Sequence, residues 1–164
     1  MQDDDSFEHF MAAALPGLLR FGHVLTGDRH RAEELVQSAL VKTYRRWRSL
    51  RHDQPAAYVR RAMVNTYTSW WRSARREAAM PEGFDAPAPG GADVDDRDTV
   101  LRAMATLPAR QRAVLVLRYY EDLSEAAIAD TLGCSTGTVK STASRGLRAL
   151  RARLTDPAVE GALS

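Results

Sequence analysis

Apolar residues recur at three- and four-residue intervals along most of the chain, the period of an α-helix that buries one face. Phe7, Met11, Ala14, Leu15, Leu18 and Leu19 form the first such stripe. Pro16 interrupts it and is expected to kink or divide the helix. Thr26-Gly27-Asp28 then reads as a turn followed by an N-cap, Asp28. The next stripe, Ala32, Val36, Ala39, Leu40, Thr43, Trp47 and Leu50, predicts one long helix over about 29–50. After a loop at 51–54, Pro55 suits the first turn of a helix reaching about residue 76. Its inward positions are Val59, Ala62, Met63, Thr66, Trp70 and Ala74. Farther on, a helix over 97–107 precedes Pro108, and the apolar run 113–117 lies inside a helix ending near Tyr120. Strand-like alternation is absent from both halves, so the predicted fold is all-α, with helices packed on helices.

The sharpest local pattern is LSEAAIADTLGCSTGTVKSTASRGLRAL, residues 123–150. Ser124 is an N-cap, with Leu123 before it and Ile128 inside the helix as a hydrophobic staple. Gly133 suits the left-handed position that ends a helix. Ser135 caps the following helix, and Cys134 with Val139 repeats the staple. Val139, Ala143, Leu147, Leu150 and Leu154 should face inward, leaving Thr136, Lys140, Ser141, Ser144, Arg145 and Arg148 outward. Two short helices, a glycine turn and a polar, basic second helix make a helix-turn-helix. Short polar side chains near the helix start reach base edges, while Lys and Arg hold phosphates.

Between the halves, residues 80–96 hold three of the seven prolines, three of the ten glycines and five acids with no base. That composition is a flexible linker kept extended by its own charge. Two small helical domains follow, 1–79 and 97–155, with a short tail at 156–164, and the halves are expected to move independently.

Charge sharpens the picture. The formal net charge of +2 hides a segregation: ten bases lie within 42–76 (Lys42, Arg45, Arg46, Arg48, Arg51, Arg60, Arg61, Arg72, Arg75, Arg76) against Asp53 alone. Such a segment points to a polyanion, and nucleic acid is the usual one. The helix at its end adds aromatic residues. Asn65, Thr68, Arg72 and Arg76 fall on one expected outward face, and Trp70 and Trp71 stand about 100° apart, so at most one is core. Asn reads base edges and exposed aromatics stack on unpaired bases.

Other classes are excluded. No apolar run approaches the length of a membrane span, and the acidic start is the opposite of a signal peptide. One cysteine, Cys134, makes neither an intrachain disulfide nor a Cys-rich zinc site, and its staple position predicts a buried small hydrophobe. His9, His23, His30 and His52 form no metal-binding pair, no glycine-rich phosphate loop is present, and no nucleophile–base pair is visible. The expectation is a cytoplasmic, soluble protein that is not an enzyme and has no catalytic residues, cofactor, metal or small-molecule substrate.

The runs GDRHRAEELVQSALVKTYRRW, PAAYVRRAMVNTYTSWWR and LPARQRAVLVLRYYEDLSEAAIADTLGCSTGTVKSTASRGLRALR, separated by an acidic linker, resemble an extracytoplasmic-function sigma factor of the actinobacterial subgroup with an SWWR motif. The resemblance implies a region 2 bundle and a region 4 helix-turn-helix that bind core RNA polymerase and give it promoter specificity. Glu34, Gln37, Ser38 and Val41 match the face that docks on the clamp helices of the largest polymerase subunit, and region 4 would meet the flap. Arg51, His52 and Asp53 in the 51–54 loop, with Asn65, match the parts that capture a flipped minus-10 base. Trp71, Arg72, Arg75 and Arg76 would hold adjacent DNA, with the choice between Trp70 and Trp71 left open. Thr136, Lys140, Ser141, Ser144, Arg145 and Arg148 match minus-35 readers in the major groove. A typical further partner in the family is an anti-sigma factor. Many members carry a bulky residue and an arginine where this chain has Thr142-Ala143, so the minus-35 sequence does not carry over.

Two other classes remain to be weighed. A stand-alone helix-turn-helix regulator would leave the 28–41 face and the basic-aromatic helix without a role. A purely protein-binding adaptor would not explain the basic segment. Salt-dependent binding to nucleic acid and affinity for polymerase separate the three.

Overall fold

A computed structural model describes residues 1–77 and 99–155. The linker predicted at 80–96 and the tail at 156–164 lie outside the described residues. Among those described, eight α-helices and one π-helical turn account for the regular structure, with no strand.

Helix α1 runs unbroken over Gln2–Thr26 with Pro16 inside it, so the expected division does not occur. An interior proline costs a helix roughly 3 kcal/mol, but Leu18, Phe21 and Leu25 beyond it are at most 1% exposed and anchor the second half. Gly27 ends the helix at φ 72, the left-handed region, and its N–H donates to the His23 carbonyl at 2.8 Å. Asp28 then caps α2 (Arg29–Arg45), its carboxylate accepting from the Arg31 N–H at 3.1 Å.

The helix predicted over 29–50 is split. Arg46 leaves helical geometry (φ −113, ψ 11), and Trp47–Leu50 forms a separate turn, α3. The break lets the Trp47 indole donate to Ser6 Oγ at 2.7 Å, with its ring 5.2 Å from Phe7 and 5.1 Å from Phe10. Burying that aromatic cluster outweighs one lost turn of regular helix.

Helix α4 (Pro55–Glu77) buries more of its circumference than predicted. Val59, Ala62 and Met63 are core as expected; Val64, Tyr67, Thr68 and Trp71 are buried too, whereas Ala74 is exposed. Two buried faces need two neighbours, and the second is the other half of the chain.

That half comprises α5 (Thr99–Ala105), α6 (Ala109–Leu115) passing into the π-helical turn Val116–Tyr120, α7 (Glu125–Leu132) and α8 (Thr136–Leu154). Its first helix ends at Ala105, two residues before the predicted end at 107. The run Ala113–Leu117 is at most 3% exposed. Leu115 meets α8 at Gly146, where a Cβ would stand 3.2 Å from the leucine Cδ1.

The two halves are packed together in this conformation. Buried residues of both belong to one continuous core. Arg112, 0% exposed, donates to the carbonyls of Ala105 (2.7 Å), Leu107 (3.2 Å) and Leu25 (3.4 Å). It thus closes the carbonyl end of α5 and touches that of α1, where helices leave acceptors unpaired and carry partial negative charge. Burial pushes its guanidinium pKa down from the usual arginine value.

Candidate nucleic-acid and polymerase interfaces

Side chains on α8 depend on how its first turn is built. Ser124 Oγ accepts the Ala127 N–H and Ser135 Oγ accepts the Thr138 N–H, each at 3.1 Å. Between them Gly133 adopts φ 66, ψ 41, and the Cys134 N–H returns to the Ala129 carbonyl at 3.0 Å. These caps fix the angle between α7 and α8, the geometry a helix needs to enter a groove.

Thr136, Lys140, Ser141, Ser144, Arg145 and Arg148 are all exposed and share the face predicted for them. Opposite them, Val139, Thr142, Ala143 and Gly146 are buried, while Leu147, Leu150 and Leu154 are half-buried. Thr142 and Ala143 therefore point inward, at 0% and 3% exposure, and present nothing to a groove. Lys140 Nζ lies 3.7 Å from Glu125, which also accepts from Arg118 at 2.9 Å. Arg145 donates to Thr142 Oγ1 at 3.4 Å. Cys134 is half-buried and packs against the core.

The first half carries two surfaces. On α2, Glu34, Gln37 and Val41 are exposed and Ser38 is half-buried. Val41 and Tyr44 are large apolar residues 53% and 51% exposed, the mixed composition of a protein-binding face. The Tyr44 hydroxyl donates to Asp4 at 2.7 Å, and that carboxylate raises its pKa above the ordinary tyrosine value.

Arg51, His52 and Asp53 are exposed in the turn before α4, where Gln54 adopts φ 45. Arg51 and Arg48 both donate to the Asp3 carboxylate. Asn65 and Arg76 are exposed on α4, and the Arg75 side chain lies outside the described residues.

Two predicted members of this surface are not on it. Thr68 is 4% exposed and Trp71 7%. Both share an α4 face with Val64, which lines a cleft of about 230 Å³ with Phe21, Leu117 and Leu123. The second half of the chain covers that face. Trp70 is half-buried, with the Arg31 guanidinium 5.2 Å above its ring. Neither tryptophan offers a bare ring in this conformation.

Arg112 and Tyr67 were missed by the sequence reading. The Tyr67 hydroxyl is buried without a hydrogen-bond partner among the described residues, and burial raises its pKa against the opposing pull of Arg112 and Arg31. The one available signal for Arg112 was its place on the inner face of α6, in step with Ala109 and Val116, where a charge argues against burial.

Known proteins match this chain over most of its length. A family model described as Sigma-70 region 2 matches residues 10–77, and one described as Sigma-70, region 4 matches 97–150. The RNA polymerase sigma-E factor of Streptomyces coelicolor is 38% identical over 151 residues, covering 90% of this chain and 85% of that protein. The ECF RNA polymerase sigma factor SigL of Mycobacterium tuberculosis is 33% identical over 145 residues, covering 84% and 82%. Among solved structures, the sigma factor RpoE of Bartonella quintana, co-crystallised with the anti-sigma factor NepR, superposes with a TM-score of 0.64 at 26% identity, covering 92% of this chain and 98% of that one.

Proposed function

The chain belongs to the extracytoplasmic-function (ECF) family of RNA polymerase sigma factors, and on that premise we propose how its residues divide the work. As a member it binds core RNA polymerase and directs initiation at promoters. Residues 1–79 are assigned to polymerase binding and minus-10 recognition, and 97–155 to minus-35 recognition. The carrying observation is the exposed row on α8 behind a doubly capped turn.

The first turns of α8 enter the major groove at minus-35, with Thr136, Ser141 and Ser144 toward base edges. Lys140, Arg145 and Arg148 hold phosphates. On the other half, Glu34, Gln37, Ser38 and Val41 meet the polymerase clamp. Arg51, His52, Asp53 and Asn65 take the unpaired minus-10 base, while Arg72, Arg75 and Arg76 grip the backbone beside it. Flipping a base costs a few kcal/mol, offset by pocket and stacking contacts that exist only in the open state. Trp71 joins these contacts only if the second half withdraws. Catalysis of nucleotide addition belongs to the polymerase; this chain's contribution is binding, and its place of action is the cytoplasm.

A pull-down of core polymerase tests the clamp face. Wild-type protein is expected to bind, and Gln37→Ala combined with Glu34→Arg to abolish binding. Binding unaffected by the double change would move the site, and no wild-type binding would leave a plain DNA-binding regulator.

A further inference from the structure

Asp3, Asp4 and Asp5 lie in the first turn of α1, where negative charge offsets the helix dipole. Asp3 also crosses to the turn before α4. Its Oδ2 accepts from Arg48 Nε at 2.9 Å, and its Oδ1 accepts from Arg51 Nη1. Arg48 and Arg51 stand three residues apart, on one side of a helical turn. The break of α2 at Arg46 turns that side toward the start of α1.

The first turn of α1 is itself held in place. Ser6 Oγ accepts from the Trp47 indole at 2.7 Å and donates to the Asp3 carbonyl at 3.0 Å. The Phe7 ring lies 5.1 Å from Tyr44 and 5.2 Å from Trp47, and the Tyr44 hydroxyl donates to Asp4 at 2.7 Å. Asp3 therefore meets Arg51 from a platform built by α2 and α3. Within residues 51–54, the Arg51 guanidinium is the one side chain hydrogen-bonded to another described residue. An arginine loses much rotamer freedom when a ligand immobilises it, and holding it beforehand removes that cost from binding. A guanidinium carries five N–H donors, so a bond from Nη1 leaves others for DNA. One carboxylate between two guanidiniums leaves the group positive, and it still attracts a polyanion.

We propose that Asp3 is a positioning residue for minus-10 recognition: it holds Arg51, and with it the 51–54 turn, in the orientation that receives the unpaired base. This role rests on the function proposed above.

The test uses holoenzyme reconstituted from core RNA polymerase and the full chain, bound to a promoter pool randomised at both elements, with the bound DNA sequenced. Asp3→Asn should weaken the base preference at minus-10 about two- to tenfold, the range for one long side chain no longer held before binding. Preference at minus-35 and affinity for core polymerase should not change. Asp3→Glu keeps the carboxylate and should recover the preference. Asp4→Asn removes the same charge from the same turn and should select as wild type does. An unchanged minus-10 preference in Asp3→Asn, or equal losses in Asp3→Asn and Asp4→Asn, would overturn the positioning role. So would a uniform gain in affinity with a steeper salt slope, which would make Asp3 a competitor of phosphate. A wild-type chain that fails to bind core polymerase, or a holoenzyme that selects no sequence, defeats the proposed function and the positioning role with it.

Discussion

Two glycines on α1 separate helix propensity from packing. Gly17 faces open space: a Cβ there would meet nothing nearer than Arg20 Nη2 at 3.8 Å. Gly22 lies against α2, where a Cβ would stand 3.1 Å from Ala32 Cβ and Met63 Cε and 3.2 Å from Ala32 Cα. Replacing either by alanine gains about 0.8–1.0 kcal/mol of intrinsic helix preference. For Gly17→Ala that gain stands alone, and it should raise Tm by about 2–4 °C in a chain of this size. For Gly22→Ala an overpacking cost of about 1–3 kcal/mol opposes it. The Met63 methyl can swing aside; the Ala32 backbone cannot move without carrying α2 with it. The net for Gly22→Ala is therefore zero to about 2 kcal/mol of destabilisation, and the gap between the two variants is the packing cost itself. Urea unfolding of both variants measures that gap. Because α2 carries Glu34, Gln37 and Val41, Gly22→Ala should also weaken polymerase binding, and Gly17→Ala should not. Equal stabilisation by the two substitutions would refute the claim that the α1–α2 contact is limited by backbone approach at Gly22.

Two further outcomes are expected. Arg145→Ala should weaken binding to a minus-35 duplex across sequences and flatten the slope of log affinity against log salt by about 0.9; Ser144→Ala should leave the slope alone and change sequence preference, as filter-binding titrations at several salt concentrations would reveal. Tyr67 has a folded pKa raised above its ordinary 10.0 by burial, so the unfolded chain loses that proton first and stability falls as pH climbs above about 10. Tyr67→Phe removes a buried hydroxyl with no partner, so it should be neutral or stabilising at pH 7 and should abolish that part of the alkaline loss in denaturant titrations run at both pH values.

Local sequence determined a great deal of this protein. Helix content, the caps at Asp28, Ser124 and Ser135, the turn at Gly133 and the exposed row on α8 follow from neighbours within four residues, and those interactions are the same in any context. The resemblance that named the family rests on the same short-range patterns. Boundaries failed where distant residues intervened. Pro16 stays helical because Leu18, Phe21 and Leu25 are held by the core, and α2 breaks at Arg46 because Trp47 gains Ser6, Phe7 and Phe10 as neighbours.

Only the tertiary structure decided which faces of α4 are covered. Helical spacing places Thr68 and Trp71 together but cannot say whether water, DNA or another helix lies opposite. Arg112 shows the same limit: a buried guanidinium is tolerated because three carbonyls from residues 25, 105 and 107 converge on it. Those acceptors lie up to 87 residues away along the chain. A one-dimensional pattern records what each residue prefers locally, whereas burial of a charge, and the closure of one half upon the other, depend on partners that only folding brings together.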